Sequence, residues 1–247
     1  MKTLACLPLM AVLAGGCTAD EIEDEDPIIP QGGRSGVSVP GAATRLNARV
    51  CRVLDLRNLS TCSSVNNDDL TITLGNSATT TQPDGSFTID VPAGITNTSN
   101  VSFSVTGPGV VPTTFPFTPR FNGTVPIVDQ ELFQRILELQ GVPQLATGTG
   151  SILATVSRAN QALSGVSVSS TPASAFGPFF DDLSTIGFGN AQVTGVRGAV
   201  LLPGLSAGMV DLSFMHIAGG LTSTVGGVQV RNGGVTILDL GFPDPSP

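Results

Sequence analysis

From Thr44 onward, apolar residues recur at every second position, and that period constrains the chain to strands. Leu46, Ala48 and Val50 alternate with Asn47, Arg49 and Cys51; Leu70, Ile72 and Leu74 alternate with Thr71 and Thr73. Phe87, Ile89 and Val91 repeat the pattern, as do Val101, Phe103 and Val105. A strand turns successive side chains to opposite faces, so each set describes a half-buried strand. Gln82-Pro83-Asp84-Gly85 supplies a turn, with proline fixing φ and glycine taking the left-handed position. Composition agrees. Charged residues make up only 12%, against 30 glycines and 18 prolines, whereas long polar-faced helices need far more Glu, Lys and Arg.

A second β region opens near Gly148. Ile152, Ala154 and Val156 alternate, followed by Val166 and Val168. Later strands are expected at Ala199-Val200-Leu201-Leu202, at 210–214 and at 235–240. Between the two regions, Leu132, Phe133, Ile136, Leu137 and Gln140 recur at helical spacing. Asp129 is placed to cap the start, Glu131 and Arg135 to pair, and Gly141 to close the end. This helix is expected to pack where the two β regions meet. The stretch from Ala173 to Asn190, rich in Gly, Phe and Pro, reads as a loop.

The N-terminus reads as an export signal. Met1-Lys2 gives a positive start, and Leu4 to Ala14 is an apolar stretch too short to cross a bilayer as a folded span. Leu13-Ala14-Gly15-Gly16-Cys17 follows, and these small residues before a cysteine resemble the lipobox of bacterial lipoproteins. The resemblance implies cleavage before Cys17, a diacylglycerol on its sulfur and an acyl chain on its new amine. Each buried methylene would contribute about 0.8 kcal/mol of anchoring. Ala14 stands where that family usually has leucine; the alternative is an ordinary secretory signal cut nearby, with Cys17 incidental. Thr18, rather than aspartate, follows the cysteine, which by the same resemblance implies passage to the outer membrane, facing either the periplasm or the cell surface.

Residues 17–43 are expected to form a lipidated tether without fixed structure, comprising the acidic run Asp20 to Asp26 and then a Gly- and Pro-rich stretch. That run holds 6 of the 19 acids; the other 13 face 10 arginines, since the only lysine, Lys2, lies in the signal, leaving the globular portion near −3. A nucleic-acid partner would need a basic stripe to neutralise phosphates, and the sequence has none.

Of four cysteines, Cys6 leaves with the signal and Cys17 takes lipid. Cys51 and Cys62 remain. Zinc would need more ligands than these and His216, the only histidine. An exported pair reads as a disulfide, closing a small loop and stabilising the fold by about 3 kcal/mol; two unpaired buried thiols are the alternative.

The halves share a weak repeat: Gly85-Ser86-Phe87-Thr88-Ile89-Asp90-Val91-Pro92-Ala93-Gly94 parallels Gly198-Ala199-Val200-Leu201-Leu202-Pro203-Gly204. In the second half, Gly150-Ser151-Ile152, Leu163-Ser164-Gly165-Val166-Ser167-Val168, Gly198-Ala199-Val200, Pro203-Gly204 and Gly233-Gly234-Val235-Thr236 resemble the carboxypeptidase regulatory-like domains. The first half matches only through Asp84-Gly85-Ser86-Phe87 and Val91-Pro92-Ala93-Gly94. The resemblance implies transthyretin-like (prealbumin-like, Ig-like) β-sandwiches of about seven strands and a non-catalytic accessory role. The expected fold class is all-β, with two tandem β-sandwich modules joined by a short helix. The expected layout is a signal over 1–16, the tether over 17–43, sandwiches over 44–128 and 148–241, and a helical connector over 129–147.

Signals of chemistry are weak. Gly204-Leu205-Ser206-Ala207-Gly208 matches a nucleophile elbow, with Asp211 and His216 in hydrolase order. Five-residue steps along one strand cannot form a relay, so a turn is the stronger reading. Asp68-Asp69 and Asp181-Asp182 lack the ligand spacing calcium needs and read as solvated turns. Phe176, Phe179, Phe180 and Phe188 cluster in the long loop. They are the candidate ligand-contact surface, with core filling beneath the loop as the stronger alternative. The expectation is a non-enzymatic envelope lipoprotein acting as a structural or protein-interaction module, or else as a carbohydrate or cell-wall ligand binder. No cofactor or metal is expected. Partners are the membrane, through the lipid, and envelope proteins or glycans.

Overall fold

The computed structural model describes residues 44–92, 101–118, 121–142, 144–182 and 187–243. The leader over 1–16, Cys17 and the tether over 17–43 lie outside the described residues, as do Ala93 and Gly94 of the repeat.

The N-terminal half contributes β1 (Thr44–Val53), β2 (Cys62–Ser63), β3 (Thr71–Leu74), β4 (Ser77–Thr80), β5 (Ser86–Val91), β6 (Ser102–Thr106), β7 (Val110–Val111), β8 (Thr113–Pro116) and β9 (Thr124–Asp129). Helix α1 (Gln130–Leu139) follows. The C-terminal half contributes β10 (Thr149–Arg158), β11 (Gln161–Ala162), β12 (Val166–Thr171), β13 (Phe179–Asp181), β14 (Phe188–Gly189), β15 (Ala199–Ser206), β16 (Gly208–His216), β17 (Leu221–Val230) and β18 (Val235–Phe242). Among the described residues the fold is all-β with one short helix.

Each half forms facing sheets. In the first, β2-β1-β9-β7, with β5 also on β1, faces β8-β6-β3-β4. The alternating residues meet between them: Val50, Ile72, Leu74, Phe87, Ile89, Phe103, Val105 and Ile127 form one buried core. The turn before β5 closes as its residues require. The Gly85 amide bonds the Gln82 carbonyl at 2.8 Å, and Gly85 sits at φ 78°. In the second half, β14-β13-β15-β10-β18 faces β12-β16-β17 around Ile152, Val166, Val200, Leu202, Val210 and Phe214.

The halves share a sheet. β18 pairs in parallel with β8 through Val235↔Thr113 and Thr236↔Thr114, making one ten-stranded sheet. The C-terminal part of that sheet is covered on both faces. Ile152, Ala154, Val200 and Leu202 point to the β12-β16-β17 layer. Leu153, Ala199, Leu201, Val235 and Ile237 point the other way, into a third core. That core adds Val53, Leu56 and Val128 from the first half and Phe133, Ile136 and Leu137 from α1. Double burial explains why β15 reads as an unbroken apolar run rather than an alternation. Gly198 precedes β15 at φ 66°, and a side chain there would strike the Val156 carbonyl.

Helix α1 packs at the junction, as its apolar stripe requires. Asp129 caps it by accepting the Leu132 amide at 2.9 Å, and Gly141 follows its end at φ 67°. No Glu131–Arg135 ion pair forms among the described residues; Gln134 instead donates to Glu138 at 3.1 Å. The stretch expected as a loop from Ala173 to Asn190 contains β13 and β14. Phe179 and Phe180 are adjacent and enter opposite cores, so no alternation announces the strand. β8, β9 and β17 also escape the alternation test. The first two are short and proline-bearing, while β17 sets half-buried residues, Ser223 among them, against exposed Thr222 and Thr224.

Candidate functional site

Where the halves meet, the ten residues between Cys51 and Cys62 form a loop closed by a Cys51–Cys62 disulfide. The expected pairing of these two cysteines is present. The loop folds on itself: Leu54 donates to the Thr61 carbonyl at 2.8 Å and Asn58 to the Asp55 carbonyl at 2.8 Å. Its tip carries two charged groups in a fixed fork. Arg57 gives Asp55 two side-chain bonds, Nε to Oδ1 at 2.9 Å and an Nη to Oδ2 at 3.0 Å. Arg57 also crosses to the C-terminal half, donating to the Asp182 carbonyl at 3.0 Å. Arg197 brings a second guanidinium within 3.9 Å of Asp55. Burial alone would raise the Asp55 carboxyl; the hydrogen bonds from Arg57 outweigh it and hold it below the usual carboxylate range.

Beside this loop lies an open cleft of about 620 Å³. Arg57, Asn58 and Ser60 form one wall, with Asn122, Thr155 and Arg197 among the rest. It offers hydrogen-bonding groups and a partly exposed guanidinium. Among its lining residues the Thr155 hydroxyl donates to the Asp239 carboxylate at 3.0 Å. The Asp55-Leu56-Arg57 triplet within the cysteine-bounded loop is the sequence signal for this site; the disulfide reading passed over it.

The other candidate residues fall elsewhere. Phe179, Phe180 and Phe188 are buried and Phe176 is half-buried against the junction core, so the rings fill cores rather than form a contact surface. Ser206 is exposed at the end of β15. Asp211 and His216 lie five residues apart on β16, roughly 16 Å along an extended strand. Asp211 accepts the Gly227 amide at 2.8 Å, so the hydrolase-ordered residues are not brought together. Asp68 and Asp69 are exposed.

Asp181 corrects the reading of a solvated acidic pair. It is buried on β13, and its carboxylate accepts the amides of Gly195 at 2.8 Å, Arg197 at 2.8 Å and Ala199 at 2.9 Å. It shapes the loop that presents Arg197 to the cleft. Among the described residues, no cluster of His, Cys, Asp and Glu is placed to hold a metal ion. No described helix is long and apolar enough to cross a membrane.

No protein-family model matches the chain, and no curated protein matches it. Solved structures show distant likeness. A minor pilin of Streptococcus agalactiae is 11% identical over 83% of this chain and 98% of its own, with a TM-score of 0.26. A shaft pilin of Lactobacillus rhamnosus is 11% identical over 82% of this chain and 100% of its own, with a TM-score of 0.25. The Bacillus anthracis TIE protein is 14% identical over 82% of this chain and 35% of its own, with a TM-score of 0.26. At this degree of superposition, neither fold detail nor function transfers from one chain to another.

Proposed function

We propose that this chain is a non-enzymatic envelope lipoprotein: a structural or protein-interaction module held to the outer membrane through Cys17 and an acidic tether. One observation carries the reading: three carboxylates that chemistry could have used are bound into the scaffold. Asp181 organises a loop, Asp129 caps α1 and takes Arg52 at 2.7 Å, and Asp55 holds Arg57. The strand-and-turn layout of the C-terminal half, similar to carboxypeptidase regulatory-like domains with their non-catalytic accessory role, supports the same reading. An exported disulfide suits a compartment outside the cytoplasm.

The test places a photo-crosslinking residue at Asn58, on the cleft wall, in the native envelope. The reading expects a discrete protein adduct that is lost when a bulky side chain fills the cleft. Ester hydrolysis by the purified chain, abolished by Ser206→Ala, would contradict it. The polar cleft favours a second reading, a glycan or cell-wall ligand binder. That reading expects retention on a glycan array that is weakened by Arg197→Ala.

A further inference from the structure

We infer that the Cys51–Cys62 disulfide is a redox-sensitive clasp that shuts one wall of the junction cleft and pins the C-terminal half against it. The inference goes beyond the proposed function and does not need it.

The loop is anchored to the first half at its base and reaches the second half at its tip. At the base, β1 and β2 pair over only two residues, Arg52↔Ser63 and Val53↔Cys62. So short a ladder is a weak hold, and the covalent bond between Cys51 and Cys62 sets the loop's conformation. At the tip, Leu56 is 1% exposed, inserted among the buried side chains of the junction core. Arg57 holds the Asp182 carbonyl, and its side chain lies so close to Gly187 that any side chain there would strike it. Asp55 faces Arg197, whose own amide is held by Asp181. A single closed loop therefore touches Asp182, Gly187 and Arg197, which flank one another in the C-terminal half.

The bond is open to attack. Cys51 is buried, but Cys62 is only half-buried and lines the cleft. The attacking reagent is a dithiol. Its thiolate forms a bond to the Cys62 sulfur and the S–S bond breaks, with the electron pair leaving on Cys51, which takes up a proton. The second thiol of the reagent then displaces Cys62, which leaves as a thiol, and the reagent departs as its own disulfide. Two electrons and two protons pass to the protein, and the loop is released. The shared sheet and the two sandwich cores contain no residue of the released loop, so both sandwiches persist while the junction core gives up Leu56 and the cleft wall opens.

The test is hydrogen exchange read by mass spectrometry on the full chain, oxidised or treated with dithiothreitol and alkylated without denaturant. Alkylation of both cysteines is expected, with exchange roughly tenfold faster or more at 54–61, 179–182 and 187–189. Exchange at 70–74, 103–105 and 210–214 should be unchanged. Arg57→Ala in the oxidised chain should reproduce the acceleration at 187–189. Four outcomes would overturn the inference: cysteines that resist the reagent, acceleration confined to 54–61, acceleration throughout the chain, or an Arg57→Ala variant that leaves 187–189 unchanged.

Discussion

Replacing Asp181 by asparagine tests whether a buried carboxylate is a scaffold element. In the native chain Oδ1 accepts the amides of Gly195 and Ala199, and Oδ2 accepts that of Arg197. An asparagine side chain offers one oxygen and one NH2 group. Oriented to keep the Gly195 and Ala199 bonds, it turns its NH2 group toward the Arg197 amide, donor against donor. The lost charge-assisted bond costs about 1.5–3 kcal/mol, and the two remaining bonds weaken by roughly 0.5 kcal/mol each. The expected loss is therefore about 3 kcal/mol, a large share of the roughly 5–15 kcal/mol that holds a typical domain. Urea unfolding reads it directly. With a slope of about 2 kcal/mol/M, the midpoint should fall by about 1–2 M while the slope stays constant. A midpoint shift under about 0.3 M would refute the assignment, because a solvated carboxylate would bear the change that easily.

Other perturbations test other parts of the account. Leu201→Ala and Leu202→Ala should each cost about 2–5 kcal/mol, because neighbours on β15 enter different cores; thermal or urea unfolding in which either is tolerated would contradict double burial. Acid should destabilise the chain through Asp55 and Asp129. Burial alone would raise the Asp129 carboxyl, but the Leu132 amide and Arg52 hold it low, as Arg57 holds Asp55. A folded pKa below the unfolded one stabilises fully above the ordinary carboxylate range, and that stabilisation is lost as pH falls through the folded values. Melting temperature should thus drop below about pH 4. Asp129→Asn should lower stability at neutral pH and flatten that drop; an unchanged acid profile would count against the two carboxylates.

How much of this was legible in the sequence depended on which faces a strand buries. β3, β5 and β16 each cover one core, so their alternation is clean. β13 and β15 are buried on both faces, and β15 was legible only as an apolar run. β13 vanished into an apparent loop because Phe179 and Phe180 serve two cores at once. Helix α1 was plain, since its stripe, its Asp129 cap and its closing glycine all agree. The sharing of one sheet between the halves rests on two residue pairs, Val235↔Thr113 and Thr236↔Thr114, that no local pattern encodes. The junction cleft was hidden for the same reason. Arg57, Thr155 and Arg197 are distant in the chain, and only the Cys51–Cys62 bracket hinted that the segment between them mattered. Asp181 looked like half of a solvated pair because its partners are backbone amides, which a sequence does not display.

The anchoring claim is tested most directly by the intact mass of the N-terminal peptide from the native, membrane-extracted protein. The account predicts a chain beginning at Cys17 and heavier than its residues by a diacylglycerol and one amide-linked fatty acid. A terminus at any other residue, or a Cys17 carrying no lipid, would contradict it.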